Sequence, residues 1–256
     1  YLRLMAPKTA VKRRPAASAS GGRGKKRQVP QADNSSGDVQ EVSMRQLCRL
    51  AIRLLHSPLP PSGPEAAYLF QELDCNLASV AAGAARLLAE RPQVTLLVLD
   101  VDNDRLAQPL PAGYGATPAL MAALATVGIQ SSSVEVAHYD HSAGINTLTE
   151  AEALVSHVKM KGWRSLAVVA PSFHLPRAAM TVATVARKSA PELLLYPVAG
   201  GPQRWQEQGA HSQGMLGIRA DFIDSELDRV VRYTAKGDIS PVGELEAYFA
   251  HCETAA

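Results

Sequence analysis

The first candidates for chemistry lie in Val168-Val-Ala-Pro-Ser-Phe-His-Leu-Pro-Arg-Ala178. His174 and Arg177 stand where an apolar run of strand length gives way to a helical pattern. They therefore share a helix face beside the carboxyl end of a strand, which is where α/β sheets bind ligands. An imidazole there can shuttle a proton near neutral pH, and a guanidinium can grip an anion bidentately. The plain alternative is a polar first turn with Arg177 in a surface salt bridge. His138, Asp140 and His141 could suggest a metal, but they fall in a loop with no fourth ligand set by spacing. Asp100, Asp102 and Asp104 read as a solvated turn after a strand rather than a Mg²⁺ site. No metal is expected from either group. Ser172 lacks a Gly-x-Ser-x-Gly elbow, and Cys48, Cys75 and Cys252, odd in number and far apart, form no nucleophile motif, disulfide framework or metal knuckle.

The elements that must hold these groups alternate between two periods. Met44, Leu47, Cys48, Ala51, Leu54 and Leu55 predict a helix ended by Pro58, Pro60 and Pro61. Pro64 suits the first turn of a second helix running to about Arg91. Val94 to Val101 is a continuous apolar run, as a strand buried on both faces requires. Further helices are expected over Pro118 to Val127, Thr147 to Lys161 with Gly162 closing it, and Pro176 to Arg187, then one through about Tyr233 and one from Val242 to His251. Strands are expected over Val134 to His138, Leu166 to Ala170 and Leu193 to Val198. This alternation predicts an α/β fold, Rossmann-like in its three layers, with a mainly parallel sheet and helices on both faces.

The chain has 256 residues, 46% of them hydrophobic and 20% charged, enough for a sizeable core. No apolar run approaches the roughly 18 residues of a membrane helix. The net charge of +2 is unevenly spread: nine Lys and Arg and no acid fall in residues 1–32, which leaves 17 bases against all 24 acids beyond. The division expected is a basic low-complexity extension over 1–37, an α/β domain over 38–240 and a helical tail over 241–256. The extension has too few large apolar residues to offset the entropy of ordering itself. Its bases, Lys12, Arg13, Arg14, Arg23, Lys25, Lys26 and Arg27, suit contact with RNA or an acidic partner, and Gly21-Gly-Arg-Gly24 belongs to that tail rather than to a phosphate loop. The segment is also Arg-rich, Ser-containing and acid-free, as organellar leaders are; an anchoring arm and a targeting leader both stay open.

Four stretches in succession resemble one family: Gly144-Ile-Asn-Thr-Leu-Thr-Glu-Ala-Glu152, the His174 segment, the Tyr196-Pro197 strand end, and Ser225-Glu-Leu-Asp-Arg-Val-Val-Arg-Tyr-Thr-Ala-Lys-Gly237. They are similar to the YdcF-like group, also called domain of unknown function 218, with the bacterial SanA and ElyC proteins as relatives. The family pattern runs Asn-Thr-x-Glu-Asn-Ala, a strand ending in Ser-x-x-His-x-x-Arg-Ala, and a late Glu followed by Tyr and Gly. The likeness spans about Leu120 to Ile239. It implies a Rossmann-like fold, and Asn146, Thr147, His174, Arg177 and Glu226 as site positions with Ser172 nearby. In the Asn-Thr stretch the acid is displaced by one place, to Glu150, about 100° around a helix. The family's glycine run after its first strand is missing: the place is either absent or the helical segment Ala51 to Pro58. Its second strand tends to end in Ser-Gly-Gly, where this chain has Leu99-Asp-Val-Asp-Asn-Asp104. Without small residues, backbone amides cannot approach an anion closely.

Two functions follow as expectations. One is a YdcF-like domain with a degenerate site, a non-catalytic accessory subunit of a larger assembly such as a mitochondrial ribonucleoprotein. The other is a small-molecule enzyme or binding protein for a nucleotide, phosphate or S-adenosylmethionine-like ligand; the residues name no cofactor. A nucleic-acid enzyme fits least, because the body beyond the arm is acidic and would repel phosphates.

Overall fold

The short apolar runs between helices pair into one sheet. In a computed structural model, which describes residues 43–107, 110, 112–211 and 215–255, five strands run parallel: β1 (Ala66–Leu69), β2 (Thr95–Leu99), β3 (Val134–Ala137), β4 (Ser165–Ala170) and β5 (Leu194–Ala199). Their order is β3-β2-β1-β4-β5. The helices are α1 (Met44–Leu55), α2 (Asp74–Glu90), α3 (Ala116–Thr126), α4 (Thr147–Lys161), α5 (Leu175–Ser189), α6 (Asp221–Lys236) and α7 (Val242–Thr254). This is the Rossmann-like three-layer α/β arrangement that the alternation of periods implies. β1 pairs with both β2 and β4, so the winding reverses there, and the carboxyl ends of β1 and β4 are where folds of this order bind ligands.

Strand side chains alternate between two cores. Tyr68, Leu97, Leu99 and Val168 face the core shared with α1, α4, α5 and α7. Ala67, Leu69, Leu96, Val98 and Val169 face the core under α2 and α3. α4 shows why its boundaries are readable in the sequence. Asn146 accepts hydrogen bonds from the Leu148 and Thr149 amides in a capping box, and Gly162 ends the helix at φ 71°, a left-handed turn that glycine adopts without strain.

The region expected to be one helix from Pro64 to Arg91 contains a strand instead. β1 occupies Ala66–Leu69 and α2 starts only at Asp74. Two alanines made a poor strand signal, yet all four β1 side chains are buried; pairing on both sides overrides local propensity. The first strand of the sheet is therefore Ala66–Leu69, and Ala51 to Leu55 belong to α1. The hairpin β6 (Gln208–His211) and β7 (Met215–Ile218) was likewise unforeseen. Its glycines Gly209 and Gly217 leave room for the Phe222 ring.

α7 does more than continue the chain as a tail. Leu245, Phe249 and Cys252 are buried in the α1 and α5 core. The helix also covers the β5 edge: Tyr248 Oη donates to the Leu193 carbonyl at 2.5 Å and the Leu195 amide donates to Cys252 Sγ at 3.4 Å. Covering an edge in this way removes unpaired strand groups from solvent. Residues 1–42, which include the basic positions Lys12 to Arg27, lie outside the described residues. Among the described residues, no helix is long and apolar enough to cross a membrane.

α2 sits unusually close to the loop leaving β5. The Gly201 amide donates to the Ser79 carbonyl at 2.6 Å, and a Cβ on Gly200 would stand 2.8 Å from that carbonyl oxygen and 2.5 Å from Ser79 Oγ. Gly200→Ala should therefore destabilise by about 1–3 kcal/mol through overpacking. Gly243→Ala, in a helix with nothing within 4 Å of the added carbon, should be neutral or stabilising by up to about 1 kcal/mol. Urea denaturation of the two variants checks the contrast.

Candidate functional site

Ionisable side chains gather, buried, at the carboxyl ends of β1 and β4. The β1–α2 loop, Phe70-Gln71-Glu72-Leu73, contains no glycine and places Glu72 among them, 3% exposed. The β4–α5 turn delivers His174 as the residue before α5 and Arg177 on its first turn, 5% exposed each. His174 Nδ1 is hydrogen-bonded to Glu72 Oε1. Arg177 does not reach outward. Its Nε and Nη2 donate to Glu226 on α6 at 2.5 and 3.1 Å, and its Nη1 donates to Thr147 Oγ1 at 2.5 Å.

Glu226 is the common acceptor. Arg229, one turn further along α6, donates to it at 2.9 Å, and His211 from the β6–β7 hairpin bonds it at 2.5 Å. The His211 ring is held between Phe222, with centroids 5.5 Å apart, and Phe173 at 6.0 Å. Burial pushes the Glu226 carboxyl up, but the Arg177 charge and the bonds from His211 and Arg177 outweigh it and hold the group well below the usual carboxylate range. Burial also lowers the Arg177 guanidinium, and Glu226 more than compensates.

Glu150 answers to a different environment. It lies on the first turn of α4, 4% exposed, and accepts from Tyr68 Oη at 2.8 Å and from the Gln71 amide at 3.4 Å. Among the described residues, no cation forms an ion pair with it. Burial pushes its carboxyl up to about 8, against those two hydrogen bonds. Glu150 thus lies beneath the end of β1.

The structure brings together four of the expected site residues, Thr147, His174, Arg177 and Glu226. Asn146 is turned to capping α4. Ser172 is half-buried on the same turn as His174, and among the described residues no hydrogen bond joins it to the cluster. Arg177 is buried rather than in a surface salt bridge. Glu72, His211 and Arg229 went unnoticed in the sequence, because the first sits in a stretch that reads as helix and the hairpin has no periodic signal. Several of the other polar loop groups have structural partners. Asp140 Oδ1 accepts from the Ser142 amide and hydroxyl, His141 Nε2 accepts from the Asp102 amide at 3.2 Å, and Arg105 donates to Asp100 at 3.2 Å. After β2, Thr117 Oγ1 bridges the Leu99 carbonyl and the Val101 amide at 2.6 and 2.9 Å. Among the described residues, no group of three His, Cys, Asp or Glu side chains is placed to hold a metal ion.

The chain matches no protein-family model and no curated protein. The likeness to the YdcF-like group rests on the succession of motifs alone.

Two predictions follow from the charge arrangement. Arg177→Met leaves Glu226 short of its main partner in a buried site, so chemical denaturation should show a loss of about 3–5 kcal/mol. The two carboxylates also act in separate pH windows. Unfolded, Glu150 loses its proton near 4.5; folded, it keeps it to about 8. Its contribution is therefore complete below pH 4.5 and is lost as pH rises through 8. Glu226 has the opposite sign: its contribution is present above the ordinary 4.5 and is lost as acid protonates the folded carboxylate. Glu150→Gln, which keeps the acceptor and removes the titration, should flatten the fall in stability between pH 5 and 8. An undiminished slope in the variant would show that Glu150 is not its source.

Proposed function

We propose that this chain is a divergent YdcF-like α/β domain whose strand-end site no longer cradles an anion, and that it serves as a non-catalytic accessory subunit of a larger assembly. The observation that carries the reading is that Arg177 and Arg229 both spend their charge on Glu226. With Glu150 protonated near neutrality, the two guanidinium groups are matched by the carboxylates of Glu226 and Glu72, and the cluster offers a phosphate no net positive field. Glu72 also stands in the loop where an anion cradle needs small residues and free backbone amides.

The basic arm supplies the other half of the proposal. Nine bases with no acid in residues 1–32 suit an electrostatic anchor on RNA or an acidic protein surface, and a mitochondrial ribonucleoprotein is the assembly proposed. The competing reading is a binding protein or enzyme for a nucleotide, phosphate or S-adenosylmethionine-like ligand. It has in its favour the position of the cluster at the switch between β1 and β4, but it requires Glu226 to release Arg177.

Thermal melts separate the two readings. ATP, inorganic phosphate and S-adenosylmethionine should each leave the melting temperature unchanged, whereas a ligand at a hundred times its Kd would stabilise by about 2.7 kcal/mol. A clear rise with any of them would favour the small-molecule reading. For the arm, changing Lys12, Arg13, Arg14, Arg23, Lys25, Lys26 and Arg27 to Gln in the full chain should release the protein from fast-sedimenting complexes, as should added salt. Unaltered co-sedimentation of that variant would rule out the arm as anchor.

A further inference from the structure

Within the buried cluster, His174 is satisfied on one side only. Nδ1 is bonded to Glu72, while Nε2, fully enclosed, has no hydrogen-bond partner among the described residues. A carboxylate only accepts, so Nδ1 carries the hydrogen, and in the neutral ring Nε2 presents a bare lone pair. A buried acceptor left unmet costs free energy, and natural structures keep few of them. This one lies at the switch between β1 and β4, where folds of this strand order bind ligands. Its surroundings restrict what can meet it. Glu72 has the His174 ring on one oxygen and the Asn76 amide 3.5 Å from the other, and among the described residues no Lys or Arg forms an ion pair with it. The Phe70 ring lies edge-on to the imidazole, centroids 5.4 Å apart. Both guanidinium groups are held by Glu226.

We propose that Glu72 is a positioning residue that fixes His174 in one tautomer, so that Nε2 accepts a hydrogen bond from the hydroxyl or amine of a small neutral or cationic ligand. The carboxylate behind the ring favours a donor and disfavours an anion, so this ligand is unlike the phosphates that the fold commonly takes. The inference goes beyond the accessory role and does not need it: a subunit anchored by its arm can still hold a small molecule.

Histidine-selective ¹⁵N labelling of the full chain tests it, with the His174 ring assigned by comparison with His174→Gln. At pH 7.5 the wild type should show a protonated Nδ1 and an unprotonated Nε2. Ethanolamine, which carries both a hydroxyl and an amine, should shift the Nε2 resonance, and inorganic phosphate at equal ionic strength should not. Glu72→Gln should lose the single-tautomer pattern and weaken the ethanolamine response about tenfold or more. Glu72→Asp should restore the pattern in part, which a merely space-filling role for Glu72 would not produce. If Glu72→Gln does not fold, the wild-type and Glu72→Asp spectra decide the matter alone. A protonated Nε2 in the wild type, a phosphate response as large as that to ethanolamine, or no response to either would overturn the proposal.

Discussion

A carboxylate taken out of water must be matched by charge and hydrogen bonds, and the end of this sheet is organised around that requirement at Glu226. Its side chain is 4% exposed, and the partners that make its burial tolerable come from separate parts of the chain: Arg177 from α5, Arg229 from its own helix and His211 from the β6–β7 hairpin. Arg177 in turn fixes Thr147 on α4. The pairing therefore ties α4, α5, α6 and the hairpin together at the end of the sheet. Removing one partner would expose the rest to an uncompensated charge, which is why such clusters are rigid even when their net contribution to stability is small.

That pairing changes what the site can recognise. A Rossmann-like switch point usually draws anions through glycine-lined backbone amides and unpaired cations. Here the cations are neutralised from within, and the loop after β1 contributes a carboxylate. The glycines that do matter, Gly83 and Gly200, serve instead to let α2 approach the exit of β5, where the virtual Cβ of Gly83 would lie 2.9 Å from the Gly200 Cα. Close approach of backbone here serves the packing of α2 against the exit of β5. Within the cluster, His174 is fixed to Glu72 through Nδ1, and burial keeps Glu150 protonated near neutral pH.

The separation between Glu150 and Glu226 illustrates how environment alone divides two identical side chains. Both are buried, and desolvation pushes both carboxyls up. One has two guanidinium groups and an imidazole around it and remains ionised; the other has a phenol and an amide and is driven up to about 8. The different partners decide which form survives burial.

Much of the architecture is legible in the sequence because it follows from periodicity and end signals. The span of α4 is bracketed by Asn146 and Gly162, and β2, β4 and β5 are apolar runs too short for helices; these features carry the α/β fold class without tertiary information. His174, Arg177, Thr147 and Glu226 stand out through their motifs. What tertiary structure decided is β1, whose alanines become a strand only because β2 and β4 pair with it on both sides, and with β1 the location of Glu72. It also decided that Arg177 faces inward to Glu226, and that the hairpin delivers His211. Local sequence determines which backbone shapes are favourable, but the pairing of buried charges depends on groups that are distant in the chain and meet only when the sheet is complete.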